Sequence, residues 1–412
     1  MSENIASSLD LAKATSLILS RVCPCGGEEV ELKQALGRVA AVPLCARIPQ
    51  PGFDQSTRDG FVIGDRGSER RDGCRQYTIQ GEIAAGSRKE RSLPLGRTSR
   101  IMTGGLVPIG SIRVIPHEDC SEQDGLLSVP EAAMRAMDSY VRRRGSLIDQ
   151  GQVIVEKGEV IGTDYQALLA ATGLLTSIEV YRRPRVAYFC TGSELLAEGD
   201  NPGAGMKISS NRYLLDGLIS EFGGKADDRG VVRDLSKELH GAITSIDPAE
   251  TDIVISTGGM GPGKYDLLEE AFVAAGGRVL YSGLNLRPGK STLFGVLGSM
   301  LFFGLPGPPP AVRVLFNELV RPALLGMLGV KEPLPGSTRA VLTEEVHLKR
   351  AGVPGLKGGC FALDQGKCTV RLAKRNDPAT CYLLFPANRR RFRKGESISV
   401  HFVNSLFSSC PL

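Results

Sequence analysis

The strongest chemical signal in the sequence is a glycine-rich loop between a predicted strand and a predicted helix. Residues 252–255 form a short apolar, β-branched run that predicts a buried strand. The loop after it contains Gly258, Gly259, Gly261 and Gly263, and a helix is predicted to begin at Asp266. Glycines let a backbone approach a ligand closely, and a helix N-terminus favours an anion. The loop therefore predicts a phosphate or oxyanion site, although a glycine-rich turn without a ligand explains this stretch equally well.

A second candidate anion site is the run Arg287-Pro288-Gly289-Lys290. Gly289-Lys290-Ser291 is similar to the end of a nucleotide-binding phosphate loop, but Gly283 lies one residue too far upstream for that motif, which excludes it. Two cations on a proline-stiffened loop suit a phosphate or an oxyanion such as molybdate. An ordinary surface turn is the alternative interpretation.

Several carboxylates are candidates for a magnesium site, because Mg²⁺ prefers oxygen ligands and phosphate-bound substrates. They are Asp54, Asp59, Glu194, Asp234 and Asp266. Taken singly, each is more typical of a cap or a turn. Their expected position near the predicted anion loops is what favours a role in metal binding.

The elements that position these residues alternate between strand and helix from residue 185 to residue 328. Such alternation predicts a parallel sheet that is covered by helices on both faces. Ligands gather at the carboxyl ends of the strands in such sheets. The loops at Thr191-Gly192, Thr257–Gly259 and Pro306-Gly307 all follow predicted strands, so we expect them to meet at one edge.

The rest of the chain predicts three further units around this α/β domain, which gives a multidomain α/β and β fold with a parallel-rich sheet. The predicted domains are a discontinuous N-terminal and linker domain at 1–46 and 140–182, an inserted β-rich domain at 47–139, the α/β domain at 183–329 and a C-terminal β-barrel or sandwich at 330–412. An amphipathic helix is predicted over residues 8–22 with Ser8 as its N-cap. In the α/β domain, Ser210-Asn211 is predicted to cap a helix, and a long helix is predicted over residues 311–328.

Composition narrows the class of protein. The 412 residues are 42% hydrophobic and 23% charged, with a net charge of +5, which is far from the balance of a nucleic-acid-binding protein. No apolar run is long enough to span a membrane and the N-terminus has no signal-peptide pattern, so the expected location is the cytoplasm. We interpret the ten cysteines as reduced packing residues and the basic run 389–394 as a solvated turn, with a nucleic-acid patch as the weaker alternative.

Nine motifs occur in the order found in the MoeA family, the molybdopterin molybdenumtransferases related to the E domain of gephyrin. They are Pro51–Asp54 to Asp59–Phe61, Met102–Gly104, Arg142–Gly145, Thr191–Leu195, Ser210–Arg212, Ser256–Gly259, Tyr265-Asp266, Arg287–Lys290 and Gly304–Gly307. The resemblance covers nearly the whole chain. It implies a homodimer that inserts molybdate into adenylylated molybdopterin and releases AMP, with Mg²⁺ as the usual cofactor.

The resemblance also implies roles for individual residues. The implied catalytic residues are Asp59, which would reach in from the partner subunit, together with Glu194, Asp266, Arg287 and Lys290. The implied cofactor-binding residues are Thr103, Thr191, Gly192, Ser193, Asn211, Arg212, Thr257, Gly258, Gly259, Gly261, Pro288, Gly289, Pro306 and Gly307. The expected metal ligands are Glu194, Asp234 and Asp266. Arg287 and Lys290 would attract molybdate, and Gly258 and Gly259 would hold the pterin phosphate.

The chain departs from the family pattern at several of these motifs. Leu147 and Ser193 stand where the family usually has carboxylates, Lys264 stands where it has an acidic residue, and Pro308 stands where it commonly has asparagine. These departures keep alternatives open. The chain is a molybdenumtransferase for molybdate or tungstate, a non-catalytic molybdopterin-binding paralogue, or an adenylyltransferase of the related MogA type, which is also a possible partner.

Overall fold

A seven-stranded sheet forms the centre of the computed structural model, which describes residues 6–64, 69–87, 92–196, 199, 201, 203–259, 267–375 and 377–403. In spatial order its strands are Ala6–Leu9, Arg278–Leu284, Leu293–Leu297, Met300–Leu305, Ile253–Thr257, Arg185–Thr191 and Lys225–Val232. Leu293–Leu297 runs antiparallel to both of its neighbours, and the other neighbouring strands pair in parallel. The predicted parallel-rich sheet is confirmed, with one antiparallel strand that the sequence pattern did not indicate.

Helices cover both faces of this sheet because successive residues of its strands point to opposite sides. Val186 and Tyr188 pack with the helices Leu11–Leu19, Ser210–Glu221 and Pro309–Leu315. Ala187 and Phe189 pack with the helices Ser236–Thr244 and Leu267–Ala274. The long helix predicted over 311–328 is Pro309–Leu315, a π-helical turn at Phe316–Val320 and the helix Arg321–Met327.

The N-terminal segment differs from the prediction. Its helix spans Leu11–Leu19, and its N-cap is Asp10, whose carboxylate accepts a hydrogen bond from the Lys13 amide at 2.8 Å. Ser8 is not the cap because residues 6–9 form a strand that pairs in parallel with Arg278–Leu284. The sequence assigns residues 1–46 to the linker domain, whereas this strand and helix pack on the α/β sheet.

Three smaller β units surround the central sheet. The linker unit pairs Gly27–Glu31 with Ser177–Tyr181 and Leu44–Cys45 with Val153–Val155, beside the helix Thr163–Ala171 and the 3₁₀ turn Leu32–Gln34. The inserted sheet contains Gly60–Gly64, Glu69–Arg71, Cys74–Ile83, Arg97–Ile101, Ser111–Pro116, Ser121–Gln123 and Leu126–Pro130, with short helical turns at His117–Asp119 and Glu131–Met134. Gln55–Ser56 pairs with Val141–Arg142 where the insertion joins the linker unit.

The C-terminal unit is a closed five-stranded barrel, which confirms the predicted β-barrel. Its strands are Ser337–Leu342, Lys367–Leu372, Gly355–Asp364, Cys381–Phe385 and Ser397–Phe402, and a small ladder pairs Val346–His347 with Arg391–Phe392. None of the helices in the described part of the chain has the length and apolarity needed to cross a bilayer. The exact domain boundaries stay predictions.

Candidate active site

The carboxyl edge of the central sheet has a switch point between the ends of Arg185–Thr191 and Ile253–Thr257, where the chain changes direction, and we call this region the crevice. After Arg185–Thr191 the chain continues to the strand Lys225–Val232 on one side. After Ile253–Thr257 it continues to strands on the other side. In open α/β sheets a switch of this kind leaves a cleft between neighbouring strand ends, where ligands bind. The loops at Thr191-Gly192 and Gly258-Gly259 meet at this switch point, as expected.

Of the two glycines of the central loop, Gly258 has no room for a side chain and Gly259 has little. Gly258 and Gly259 adopt φ values of +97° and +65°. A Cβ on Gly258 would lie 2.1 Å from the carbonyl oxygen of Thr191, and one on Gly259 would lie 3.1 Å from the Thr191 Cγ2. The Gly258 amide donates a hydrogen bond to the Leu305 carbonyl at 3.0 Å. The start of the loop is therefore held against both neighbouring strand ends, while Gly261, Lys264 and Asp266 lie outside the described residues.

Asn211 connects three elements around the crevice. Its side-chain NH₂ donates to the Gly307 carbonyl at 2.8 Å and to the Thr257 hydroxyl at 3.2 Å. The side chain is buried, and its Oδ1 has no hydrogen-bond partner among the described residues. The prediction that Ser210-Asn211 caps the helix is wrong: Ser209 is the N-cap, since the Asn211 side chain is held by the two neighbouring loops.

Two of the three predicted metal ligands lie beside these loops. The Asp234 carboxylate accepts a hydrogen bond from the Thr191 hydroxyl, and it lies 3.6 Å from the position of a Cβ on Gly259. Glu194 is exposed, with a carboxylate oxygen 2.9 Å from the position of a Cβ on Gly192. Within the described ranges no three His, Cys, Asp or Glu side chains form a cluster. The described donor set is therefore two carboxylates, which follow the neighbouring strands Arg185–Thr191 and Lys225–Val232.

The Arg287–Lys290 loop lies at the same edge, between the strands Arg278–Leu284 and Leu293–Leu297. Its backbone is bonded to the C-terminal barrel: the Arg287 amide donates to the Pro354 carbonyl at 2.9 Å, and the Leu356 amide donates to the Arg287 carbonyl at 2.8 Å. Among the described residues neither Arg287 nor Lys290 has a carboxylate partner, and both side chains are exposed. The loop thus presents two unneutralised cations.

The helix that follows the strand Met300–Leu305 has fewer backbone N–H donors in its first turn than most helices have. Pro308 is the N-cap of the helix that begins at Pro309, and Pro310 follows, so three successive residues carry no N–H. The amide of Ala311 donates to the Pro308 carbonyl at 2.9 Å. This helix therefore cannot bind an anion through its first backbone amides. In the sequence, the run of three prolines is the feature that indicates this loss of donors.

The remaining predicted residues lie near the edge or in the inserted unit. Arg212 pairs with Asp228 of the strand Lys225–Val232 at 2.8 Å, and Ser193 is exposed. In the inserted unit the Thr103 amide and hydroxyl both donate to Asp59, at 2.6 and 2.8 Å. These two hydrogen bonds hold the pKa of Asp59 below its usual range. Asp59 and Thr103 are thus hydrogen-bonded to each other in the inserted unit, far in sequence from the loops of the crevice.

The carboxylate of Asp54, a further candidate metal ligand, is hydrogen-bonded to the basic cluster where the insertion joins the linker unit. It accepts hydrogen bonds from the Arg143 guanidinium at 2.6 Å and from the Arg144 amide at 2.7 Å. Burial alone would raise the pKa of Asp54, but these hydrogen bonds and the nearby Arg143 charge leave it below the usual value. The geometry gives Asp54 a structural role where the insertion joins the linker unit.

Comparisons with known proteins identify the family. The chain matches the MoeA N-terminal region (domain I and II) over residues 9–173 and a probable molybdopterin binding domain over residues 187–326. Relatives named molybdopterin molybdenumtransferase from Staphylococcus epidermidis and Staphylococcus aureus are 28% and 27% identical, over 91% of this chain and 91% of each relative. Two structures of molybdopterin biosynthesis MoeA proteins from Pyrococcus horikoshii are similar to this one. The first has a TM-score of 0.82 and 28% identity, and the match covers 97% of this chain and 100% of the other. The second has a TM-score of 0.77 and 23% identity, and the match covers 96% of this chain and 100% of the other. The two domain matches, the full-length relatives and the shared architecture together show that this chain is a member of the MoeA family.

Proposed function

We propose that this protein is a molybdopterin molybdenumtransferase, which inserts molybdate into adenylylated molybdopterin and releases AMP. The observation that carries the proposal is the crevice at the switch point, where Gly258 lies against the Thr191 carbonyl within a chain that matches named molybdenumtransferases almost from end to end. Backbone amides of a glycine loop suit a phosphate, and the nearby carboxylates and cations suit a charged, metal-assisted reaction.

Each group at the edge has a role in this proposal. The Gly258-Gly259 loop holds the pterin phosphate through the amides that follow Gly258, whose own amide is bonded to Leu305. Asn211 fixes Thr257, at the start of this loop, relative to Gly307. Arg287 and Lys290 attract the molybdate dianion, since two fixed cations favour a doubly charged oxyanion. Cleavage of the pyrophosphate by water leaves AMP, and preorganised donors and cations stabilise the negative charge that develops on its oxygens.

Mg²⁺ fits the described donor set. It binds one or two carboxylates together with substrate phosphates and keeps several waters. Glu194 and Asp234 supply two carboxylates at the ends of neighbouring strands. When bound, it would neutralise charge on the pyrophosphate. Asp266 is the third ligand in our proposal, on the basis of the family resemblance. We also propose a homodimer in the cytoplasm, in which Asp59 of one subunit faces the crevice of the other.

An assay of AMP release tests the proposal. Purified protein with adenylylated molybdopterin, molybdate and Mg²⁺ should release AMP, and EDTA should abolish the release. A parallel reaction with tungstate determines the oxyanion preference. AMP release that is absent under every metal and oxyanion condition would refute the proposal.

The same assay separates the alternatives. A non-catalytic paralogue would bind the pterin nucleotide without turnover, and the double variant Leu147→Asp with Lys264→Glu should then restore activity. Leu147 is 62% exposed, so a carboxylate there is accommodated without repacking. An adenylyltransferase would instead consume ATP with unmodified molybdopterin.

A further inference from the structure

Positive charge is concentrated in the C-terminal part of the chain. Residues 331–412 contain 14 Lys and Arg against 6 Asp and Glu, a balance of +8, whereas the whole chain carries +5. The remaining 330 residues are therefore slightly negative. A charge separation of this size creates a field that acts on small ions well beyond direct contact.

Two adjoining cavities on the barrel collect much of this charge. The first has a volume of about 480 Å³ and is lined by Arg287 of the edge loop and by His347, Lys349, Arg350 and Lys357 of the barrel. The second, of about 600 Å³, is lined by Arg389, Arg390 and Arg391. Both include His347 and Leu348, because the strand Val346–His347 pairs with Arg391–Phe392. The two cavities form one cationic groove that includes Arg287.

Most of these cations lack counter-charges. Among the described residues, Lys349, Arg350, Lys357, Arg390 and Arg391 have no carboxylate partner. Two groups of the groove are paired, His347 with Glu345 at 2.8 Å and Arg389 with Glu396 at 2.6 Å. Gathered like charges repel one another, so an unneutralised groove favours the binding of an anion.

The basic run does not offer the stacking surface that a single-stranded nucleic acid needs. Single-stranded nucleic acids bind on exposed aromatic side chains, and the aromatic of the basic run, Phe392, is 1% exposed beneath Arg389. Arg287 lines the groove, and its backbone is bonded to the barrel on both sides. The groove therefore adjoins the proposed oxyanion loop.

We propose that this cationic groove collects the dianionic tetrahedral oxyanion substrate from solution and raises its concentration at Arg287. The proposal rests on the proposed function, which it deepens by adding an entry surface on the barrel. Clefts lined by charge of one sign raise local substrate concentration, and the effect weakens as salt increases. A charge about 10 Å from a dianion in water changes its affinity by roughly fourfold at low salt, and screening reduces this strongly at 150 mM.

The test removes two groove charges. The double variant Arg390→Gln with Arg391→Gln should raise the KM for molybdate about tenfold at 10 mM ionic strength and about twofold at 150 mM. Its kcat for AMP release should stay unchanged. The matched control, Lys367→Gln with Lys374→Gln, removes the same charge from barrel positions that line neither cavity and should leave KM near the wild-type value.

Equilibrium dialysis against molybdate and against tungstate supplies a readout without turnover. Oxyanion affinity that falls with salt in the wild type, and that the groove variant reduces at low salt, supports the proposal even if AMP release is absent and the proposed function fails. Equal effects in the groove and control variants, a change in KM that does not depend on salt, or a fall in kcat would overturn it.

Discussion

The variant Gly258→Ala tests the crevice most directly. The new Cβ would lie 2.1 Å from the Thr191 carbonyl oxygen and 3.1 Å from its carbon, and both are backbone atoms that cannot rotate away. The backbone at φ +97° adds about 1–2 kcal/mol for a residue with a Cβ. Overpacking against fixed atoms adds about 1–3 kcal/mol. We expect a loss of about 2–5 kcal/mol in the free energy of unfolding, or a local opening of the crevice at similar cost.

The assay needs a control that separates the clash from the backbone strain. Gly298 also has a positive φ, +59°, but a Cβ there would meet no atom within 4 Å. It lies in the turn between Leu293–Leu297 and Met300–Leu305, at the opposite edge of the sheet. Gly298→Ala should therefore lose only about 1 kcal/mol of unfolding free energy and keep full affinity for the pterin nucleotide.

Two measurements give the comparison: urea unfolding, and titration of adenylylated molybdopterin followed by the fluorescence of its pterin. Gly258→Ala should bind the pterin nucleotide at least tenfold more weakly than Gly298→Ala. If the two variants had the same affinity and the same stability, the close approach of Gly258 to Thr191 would not shape the site, and the reasoning would be wrong.

Three further predictions concern hydrogen bonds elsewhere. Asn211→Asp places an acceptor where the amide now donates to two neighbouring loops, so we expect about tenfold weaker pterin binding and a lower urea midpoint; unchanged affinity would contradict a positioning role. Glu318 holds the pKa of His401 above its usual value through a 2.8 Å contact, so this pair stabilises the fold below about pH 6.5 and the contribution is lost as pH rises through the higher folded pKa. Unfolding free energies at pH 6 and pH 9 should therefore differ less in His401→Gln than in the wild type. Thr103→Val removes a hydrogen bond that lowers the pKa of Asp59, so a carboxyl NMR titration should show a higher pKa for Asp59 in the variant. The stabilisation that Asp59 contributes is present above about pH 3.9, and in the variant it should be lost at a higher pH than in the wild type as the protein is acidified.

The glycine loop of the site could be predicted from the sequence, because the backbone freedom of a glycine depends on that residue alone. Gly258 and Gly259 follow a β-branched run, and both the strand and the positive φ values are present in the structure. The sheet edge was predictable for the same reason, since strands that alternate with helices end at one edge. The order of motifs then identified the family, which the comparisons confirm.

Non-local pairing was not predictable. Residues 6–9, Ala-Ser-Ser-Leu, contain no β-branched residue and become a strand only because Arg278–Leu284 offers an open edge. The antiparallel strand Leu293–Leu297 also depends on its two neighbours rather than on its own pattern. Asn211 was expected at a helix cap, where short polar residues are common, but its amide meets partners 46 and 96 residues away. The reach of Asp59 across a dimer interface stays a prediction.

The two backbone hydrogen bonds between the Arg287 loop and Pro354 and Leu356 have an evolutionary consequence. In the proposed reaction the two substrates bind to different parts of the fold. The pterin binds at the edge of the sheet, and the oxyanion binds to a loop that is hydrogen-bonded to the barrel. Substitutions in the barrel can then retune which oxyanion is taken without disturbing the pterin pocket. Oxyanion choice and pterin binding are then open to separate change, because they depend on different units of the fold.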